Sequence, residues 1–199
     1  WRSVALAAVC MCIYNLAFFA GVRSSDIAVG TALALGSGPV WAGLLQALIT
    51  RAMPTRAWWL GTGVAVAGVV AMATAHGAAE HIPLAGVLLC LLAGLSYASY
   101  ALLNQRMVTG ASPAAVTAAV FSGAALLAIA GAAGLSGAPQ LHAGDLAIVL
   151  WLGVVSTGVA YLLFSYALTH ISAATAVVLA LAEPVTAFVL AILIVGEQP

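Results

Sequence analysis

Residues 15–54 overlay residues 160–199 without a gap, and Phe19/Phe164, Ala28/Ala173, Pro39/Pro184, Val40/Val185, Ala42/Ala187, Leu45/Leu190, Leu48/Leu193, Ile49/Ile194 and Pro54/Pro199 coincide. The chain between the two copies crosses a bilayer an odd number of times, so the copies are expected to run antiparallel. Inverted repeats of this kind build many secondary transporters, which places the chain among helical membrane bundles before any single residue is interpreted.

Composition supports that placement: 65% of residues are hydrophobic and 5% charged, with a mean hydropathy of +1.19. No water-facing surface can be made from such a mixture. Continuous apolar runs cover 3–22, 27–50, 57–75, 84–103, 114–135, 146–168 and 172–195, each close to the length a helix needs to cross hydrocarbon. They do not alternate apolar with polar, which excludes a β-barrel. The expected fold is all-α: a polytopic integral membrane helix bundle built from two inverted five-helix repeats.

The first run matches the sixth and the second matches the seventh, so the repeating unit is five spans long. The third run then lacks a mate after the seventh, and the fourth and fifth lack mates before the first. A complete arrangement is expected to have ten helices, two more before Trp1 and one more after Pro199. On this basis 1–75 holds three helices of the first repeat, 76–83 is an external linker, and 84–199 holds four helices of the second. Pro54 ends one run and Thr55 is placed to cap the next, making 51–56 a tight turn. The breaks at 136–145 and 196–199 read as exposed connections.

Lysine is absent and net charge is zero, which argues against nucleic acid as a partner. Counting loops alternately, Arg2, Arg51, Arg56 and Arg106 share one side, while Arg23 lies on the other with Asp26, Glu80 and Asp145. The arginine-rich side is expected to be cytoplasmic, in a multi-pass protein of the cell membrane. Cys10, Cys12 and Cys90 sit inside apolar runs with no metal-binding or disulfide spacing, so neither metal nor cofactor is expected. Small residues at four-residue spacing, Gly63-Ala67-Ala71 and Ala124-Ala128-Ala132, are expected to pack helices together.

Glu183 is the one acidic residue deep within a run, directly before Pro184. An ionised carboxylate at that depth must be neutralised, hydrogen-bonded or exposed to a water-filled cavity. Pro184 removes a backbone donor and is expected to kink or interrupt its helix; Gly36-Ser37-Gly38-Pro39 carries the same interruption in the first copy, without a carboxylate. Paired broken helices point to a transporter's binding site near the midplane. Two readings of Glu183 follow: it contacts substrate or carries a coupling proton, or it caps backbone groups at the kink.

Other polar groups cluster at depth: Asn15 beside Tyr14, then Ser96, Tyr97, Ser99 and Tyr100, then Ser156, Thr157, Tyr161 and Ser165. Thr157, Tyr161 and Ser165 share one face of a regular helix and are candidates to line a cavity; the hydroxyls can equally bond back to their own helix. Asn15 brings more donors and acceptors than a helix can satisfy alone. Trp58 and Trp59 stand where interfacial anchors do, and Trp41, just past Pro39, either walls a cavity or fills the bundle.

The runs Tyr14-Asn15-Leu16-Ala17-Phe18-Phe19-Ala20-Gly21, Gly38-Pro39-Val40-Trp41, Pro54-Thr55-Arg56, Trp59-Leu60-Gly61 and Ala67-Gly68-Val69 resemble the first repeat of EamA-like transporters of the drug/metabolite transporter superfamily. Gly94-Leu95-Ser96-Tyr97-Ala98, Thr157-Gly158-Val159-Ala160-Tyr161, Ala182-Glu183-Pro184-Val185 and Gly196-Glu197 resemble the second. The resemblance implies ten helices, a central cavity, and export or exchange of small metabolites. Thr50-Arg51-Ala52 departs from it, since the family has a Gly-Glu pair there.

Catalysis is not expected. His76, His81, His142 and His170 fall in loops, away from any serine at depth, and Asp26 and Asp145 stand at span edges rather than as a buried pair. A sensor or scaffold is the other alternative, and repeats that meet at broken helices suit alternating access better. No run contains arginine or lysine, so a phosphorylated solute would find no basic clamp. The expected partners are the bilayer, a proton as coupling ion, and a small neutral, zwitterionic or cationic solute such as an amino acid or amine, which Trp41, Tyr97 or Tyr161 could stack upon.

Overall fold

The computed structural model describes residues 1–24, 27–75, 83–135 and 144–195. Those residues are helical throughout, apart from short turns: α1 (Arg2–Ser24), α2 (Ile27–Thr50), α3 (Arg56–Ala75), α4 (Leu84–Val108), α5 (Pro113–Leu135), α6 (Asp145–Trp151), α7 (Ala160–Ala167), α8 (Ala173–Leu179) and α9 (Ala182–Leu190). A π-helical segment, Leu152–Val159, joins α6 to α7, and another, Ala191–Val195, continues α9. Six of these stretches, counting α6–α7 and α8 onward as single spans, are long and apolar enough to cross a membrane, and Arg56–Ala71 is a shorter apolar helix. The protein is a multi-pass helical membrane bundle. Most of the expected linker at 76–83, most of the loop at 136–145 and the whole of 196–199 lie outside the described residues, as do Asp26, His76, Glu80, His81 and His142.

Its outer surface is suited to lipid. Leu16, Leu48, Leu60, Val64, Leu126, Ile129 and Leu193 each leave more than half of their surface uncovered, which water would penalise and hydrocarbon does not.

Helix α4 is the hub, packing most extensively on α1 and α2. Small residues let the backbones close up: Gly86, Ala93, Gly94, Ala98 and Ala101 of α4 are all buried. At Gly94 the approach is tightest. A Cβ there would press on Ser37 Oγ and lie 2.8 Å from the Ala34 carbonyl oxygen. The stripes anticipated from sequence carry little of the packing among the described residues. Gly63, Ala67 and Ala71 face outward, and α3 instead buries Thr62 and Val69, the latter against Ala32 and Leu181. On α5, Ala124 joins the core while Ala128 is exposed.

Arg51 closes α2 in a left-handed conformation (φ 54°). Thr55 then caps α3, its Oγ1 accepting from the Trp58 N–H at 3.2 Å. The first turns of α1 and the last turns of α2 and α4 meet at one end of the bundle, where Leu6, Leu45, Ile49, Leu103 and Arg106 line a common groove. We call this the arginine end.

Three departures from the sequence reading bear on the site. First, α2 runs unbroken through Gly36-Ser37-Gly38-Pro39. Pro39 is fully buried, Ser37 Oγ donates to the Ala34 carbonyl at 3.2 Å, and the neighbouring glycines leave the backbone room to absorb the proline ring. Second, the sixth span is not a uniform α-helix, because Leu152–Val159 winds as a π-helix. Third, α4 continues beyond Leu103 through Asn104, Gln105 and Arg106, since Asn104 and Gln105 find buried partners. Arg106 therefore joins Arg2, Arg23 and Arg56 as arginines within helix ends, and in the last turn of α4 it complements the helix dipole.

Candidate functional site

The seventh span is interrupted between α8 and α9. The Ala180 N–H still bonds the Ala176 carbonyl at 3.0 Å, but Leu181 N–H reaches only three residues back, to Val178, and Glu183 N–H likewise to Ala180, each at 3.0 Å. Pro184 has no N–H with which to claim the Ala180 carbonyl, so the Glu183 N–H takes it and the chain tightens before α9 begins. That local rewinding sets Ala180 and Glu183 beside a cavity of about 300 Å³.

Four other elements wall the cavity. Tyr14 comes from α1, Tyr97 from α4, Ser156 from the π-helical segment, and Ala160, Tyr161 and Phe164 from α7. The rings form a continuous set: Tyr14 and Tyr97 have centroids 5.3 Å apart, Tyr97 and Phe164 5.9 Å, and Tyr161 and Phe164 6.3 Å. No lysine or arginine is among the residues that line the cavity. Chemically this is an amphipathic chamber with π-faces, hydroxyl groups and one acid.

Of the sequence candidates, the structure brings Tyr97, Tyr161 and Glu183 together at this chamber. Tyr100 is fully buried just behind it, stacked on Phe164 (6.3 Å, 20°) and edge-on to Tyr161 and Phe121. Gly38 is close by: a Cβ on it would lie 3.9 Å from Tyr97 Cδ1 and 3.4 Å from Val177 Cγ1. Pro39 is buried within α2, and Pro184 is partly buried in the first turn of α9.

Three candidates stand elsewhere. Asn15 is exposed and satisfies itself locally, its Nδ2 donating to the Met11 carbonyl at 2.8 Å. Trp41 is half-buried against the hydrophobic core and is not among the residues that line the chamber. Thr157 is outside the lining and Ser156 takes its place. The π-helical winding accounts for the exchange, because spacing by four no longer keeps residues on one face there. Gly158 fits this winding: a Cβ on it would lie 3.3 Å from the carbonyl oxygen of Gly153, five residues earlier.

Sequence reasoning missed a buried polar cluster beneath the aromatic rings. Asn104 Nδ2 donates to Tyr100 Oη and Ser165 Oγ, and Thr117 Oγ1 donates to Ser165 Oγ, each at 2.8 Å, tying α4, α5 and α7 together. It also missed Gln46 and Gln105, whose amides hold the start of α8. The signal was available as isolated amides beside apolar runs, a costly placement without partners. Among the described residues, no group of three His, Cys, Asp or Glu side chains is arranged to hold a metal ion.

A model of the EamA-like transporter family matches residues 84–199, more than half of the chain and the stretch that supplies most of the cavity. The chain belongs to the EamA-like transporter family. A protein of Bacillus subtilis (strain 168) named "Uncharacterized transporter YwfM" is 39% identical over 198 residues, an overlap of 100% of this chain and 67% of that protein. Family and relative both identify a membrane transporter.

Proposed function

We propose that this member of the family is a secondary transporter that exports or exchanges small neutral, zwitterionic or cationic metabolites, amino-acid-like or amine, across the cytoplasmic membrane. It works by alternating access between two inverted repeats, with Glu183 contacting solute or carrying the coupling proton. The observation that carries this reading is the chamber itself: three tyrosines, a serine and one carboxylate at the break of a membrane helix, with no basic group in its lining. Irregular backbone at membrane depth is tolerated where it lines such a cavity, and discontinuous helices mark the sites of many transporters. The exposure of Glu183 at this chamber favours a role in transport over one as a backbone cap.

A thermal-shift screen of the purified protein over amino acids, amines, sugars and phosphorylated metabolites tests the substrate class. Stabilisation by an amino acid or amine, lost in Glu183→Gln, is the expected result. Stabilisation by phosphorylated anions alone would refute that class.

A further inference from the structure

The first turn of α8 is held by side chains from two other helices. Helices begin with backbone N–H groups that lack intrahelical partners. Here Ser172 supplies the local cap, its Oγ accepting from Thr175 N–H at 3.2 Å. The two N–H groups before it go to glutamines far away in sequence: Ala173 N–H donates to Gln105 Oε1 at 3.0 Å and Ala174 N–H donates to Gln46 Oε1 at 3.2 Å. Gln105 Nε2 also donates to the Ile171 carbonyl at 3.0 Å, so one amide clasps the backbone on both sides of Ser172.

We infer that Gln46 and Gln105 form a latch that keeps the arginine end of the transporter closed, and that releasing it lets the cavity open there. This rests on the alternating-access reading above. Gln46 lies in α2, one turn before Arg51, and Gln105 is next to Arg106, so both grip α8 at that end. Helix α8 leads directly to Ala180 and Glu183, so moving its start away from α2 and α4 changes the chamber at its wall. The Gln46 bond joins the first repeat to the second, the interface that alternating access must rearrange.

The chemistry makes the latch two-state. Ala173 and Ala174 are buried, at 0% and 1% exposure, so an N–H released without further movement has neither amide nor water as partner. An opened end admits water, which then satisfies those groups. Closed-and-latched and open-and-wet are therefore both favourable, and closed-but-unlatched is not. The overlay of the two repeats places Ala191 opposite Gln46, and alanine has no acceptor to offer. The Gln46 clasp therefore has no matching acceptor in the second repeat, which favours a resting state closed at the arginine end.

The test uses the intact protein in sealed vesicles, with native cysteines replaced by alanine and Ser156→Cys reporting on the cavity. A membrane-impermeant maleimide is added to either side. Gln46→Leu, Gln105→Leu and the double variant are expected to raise the labelling rate from the arginine end by about three- to tenfold each, as expected from losing a net hydrogen bond or two, and to lower it from the opposite side. Should the leucine variants not fold, Gln46→Asn and Gln105→Asn keep the polarity but shorten the reach, and the same shift is expected. Labelling equal to that of the parent from both sides, with only the melting temperature reduced, would make the glutamines simple caps and overturn the latch while leaving alternating access intact. Labelling of the parent and every variant from one side alone would overturn alternating access, and the latch with it.

Discussion

Pro39 and Pro184 occupy the same register of the repeat, yet α2 passes through the first without interruption and the seventh span breaks ahead of the second. Surroundings separate them. Around Pro39 the backbone is pressed against α4, where Gly94 brings the two helices into contact at Ala34, Ser37 and Gly38. Around Pro184 the helix borders an open chamber, and the preceding carbonyl is taken up by a tightened turn. A proline removes one hydrogen bond in either place; packing determines whether the helix stays whole, and a cavity gives the broken one room.

Gly94 is the position on which the difference between the two prolines depends most. Gly94→Val is expected to part α2 from α4 and leave little folded protein, and Gly94→Ala to cost about 2 kcal/mol through overpacking against backbone atoms, read as a lower midpoint in thermal unfolding. A midpoint equal to that of the parent would show that this contact does not hold α2 straight. Pro184→Ala restores the missing N–H and allows α8 and α9 to join, so transport should fall by roughly tenfold or more while stability holds or rises slightly, because the rejoined helix gains a backbone hydrogen bond. Unchanged flux would mean that the break serves folding alone. The smallest effect is expected for Pro39→Ala: α2 is already continuous, so flux should remain within about twofold and stability within about 1 kcal/mol, the usual range for one altered packing contact. A loss of flux there as large as at Pro184 would erase the distinction.

Much of the architecture was legible from apolar runs and the repeat. The limits of α2 coincide with the expected run, and α1, α3 and α5 begin within a residue of theirs. Helix α4 extends further because Asn104 and Gln105, which look like a polar ending in sequence, are hydrogen-bonded to Ser165, Ile171 and the start of α8. Partners from other helices are invisible to a linear reading. The same limitation displaced Thr157 in favour of Ser156: facing residues were assigned by regular helical spacing, and the π-helical winding of Leu152–Val159 changes that spacing. Asn15 was chosen for its unmet hydrogen-bonding capacity, and a bond to Met11 one turn away meets part of it. Tyr97, Tyr161 and Glu183 were identifiable because polar groups at membrane depth are costly unless something faces them.

We propose that the chamber beside Glu183 handles both solute and coupling ion. The most direct test is pH-driven uptake into inverted vesicles by the intact protein, wild type against Glu183→Gln at matched protein levels. The neutral variant is expected to abolish gradient-driven flux while its amount in the membrane is unchanged. Gradient-driven flux at the wild-type rate in Glu183→Gln would contradict it.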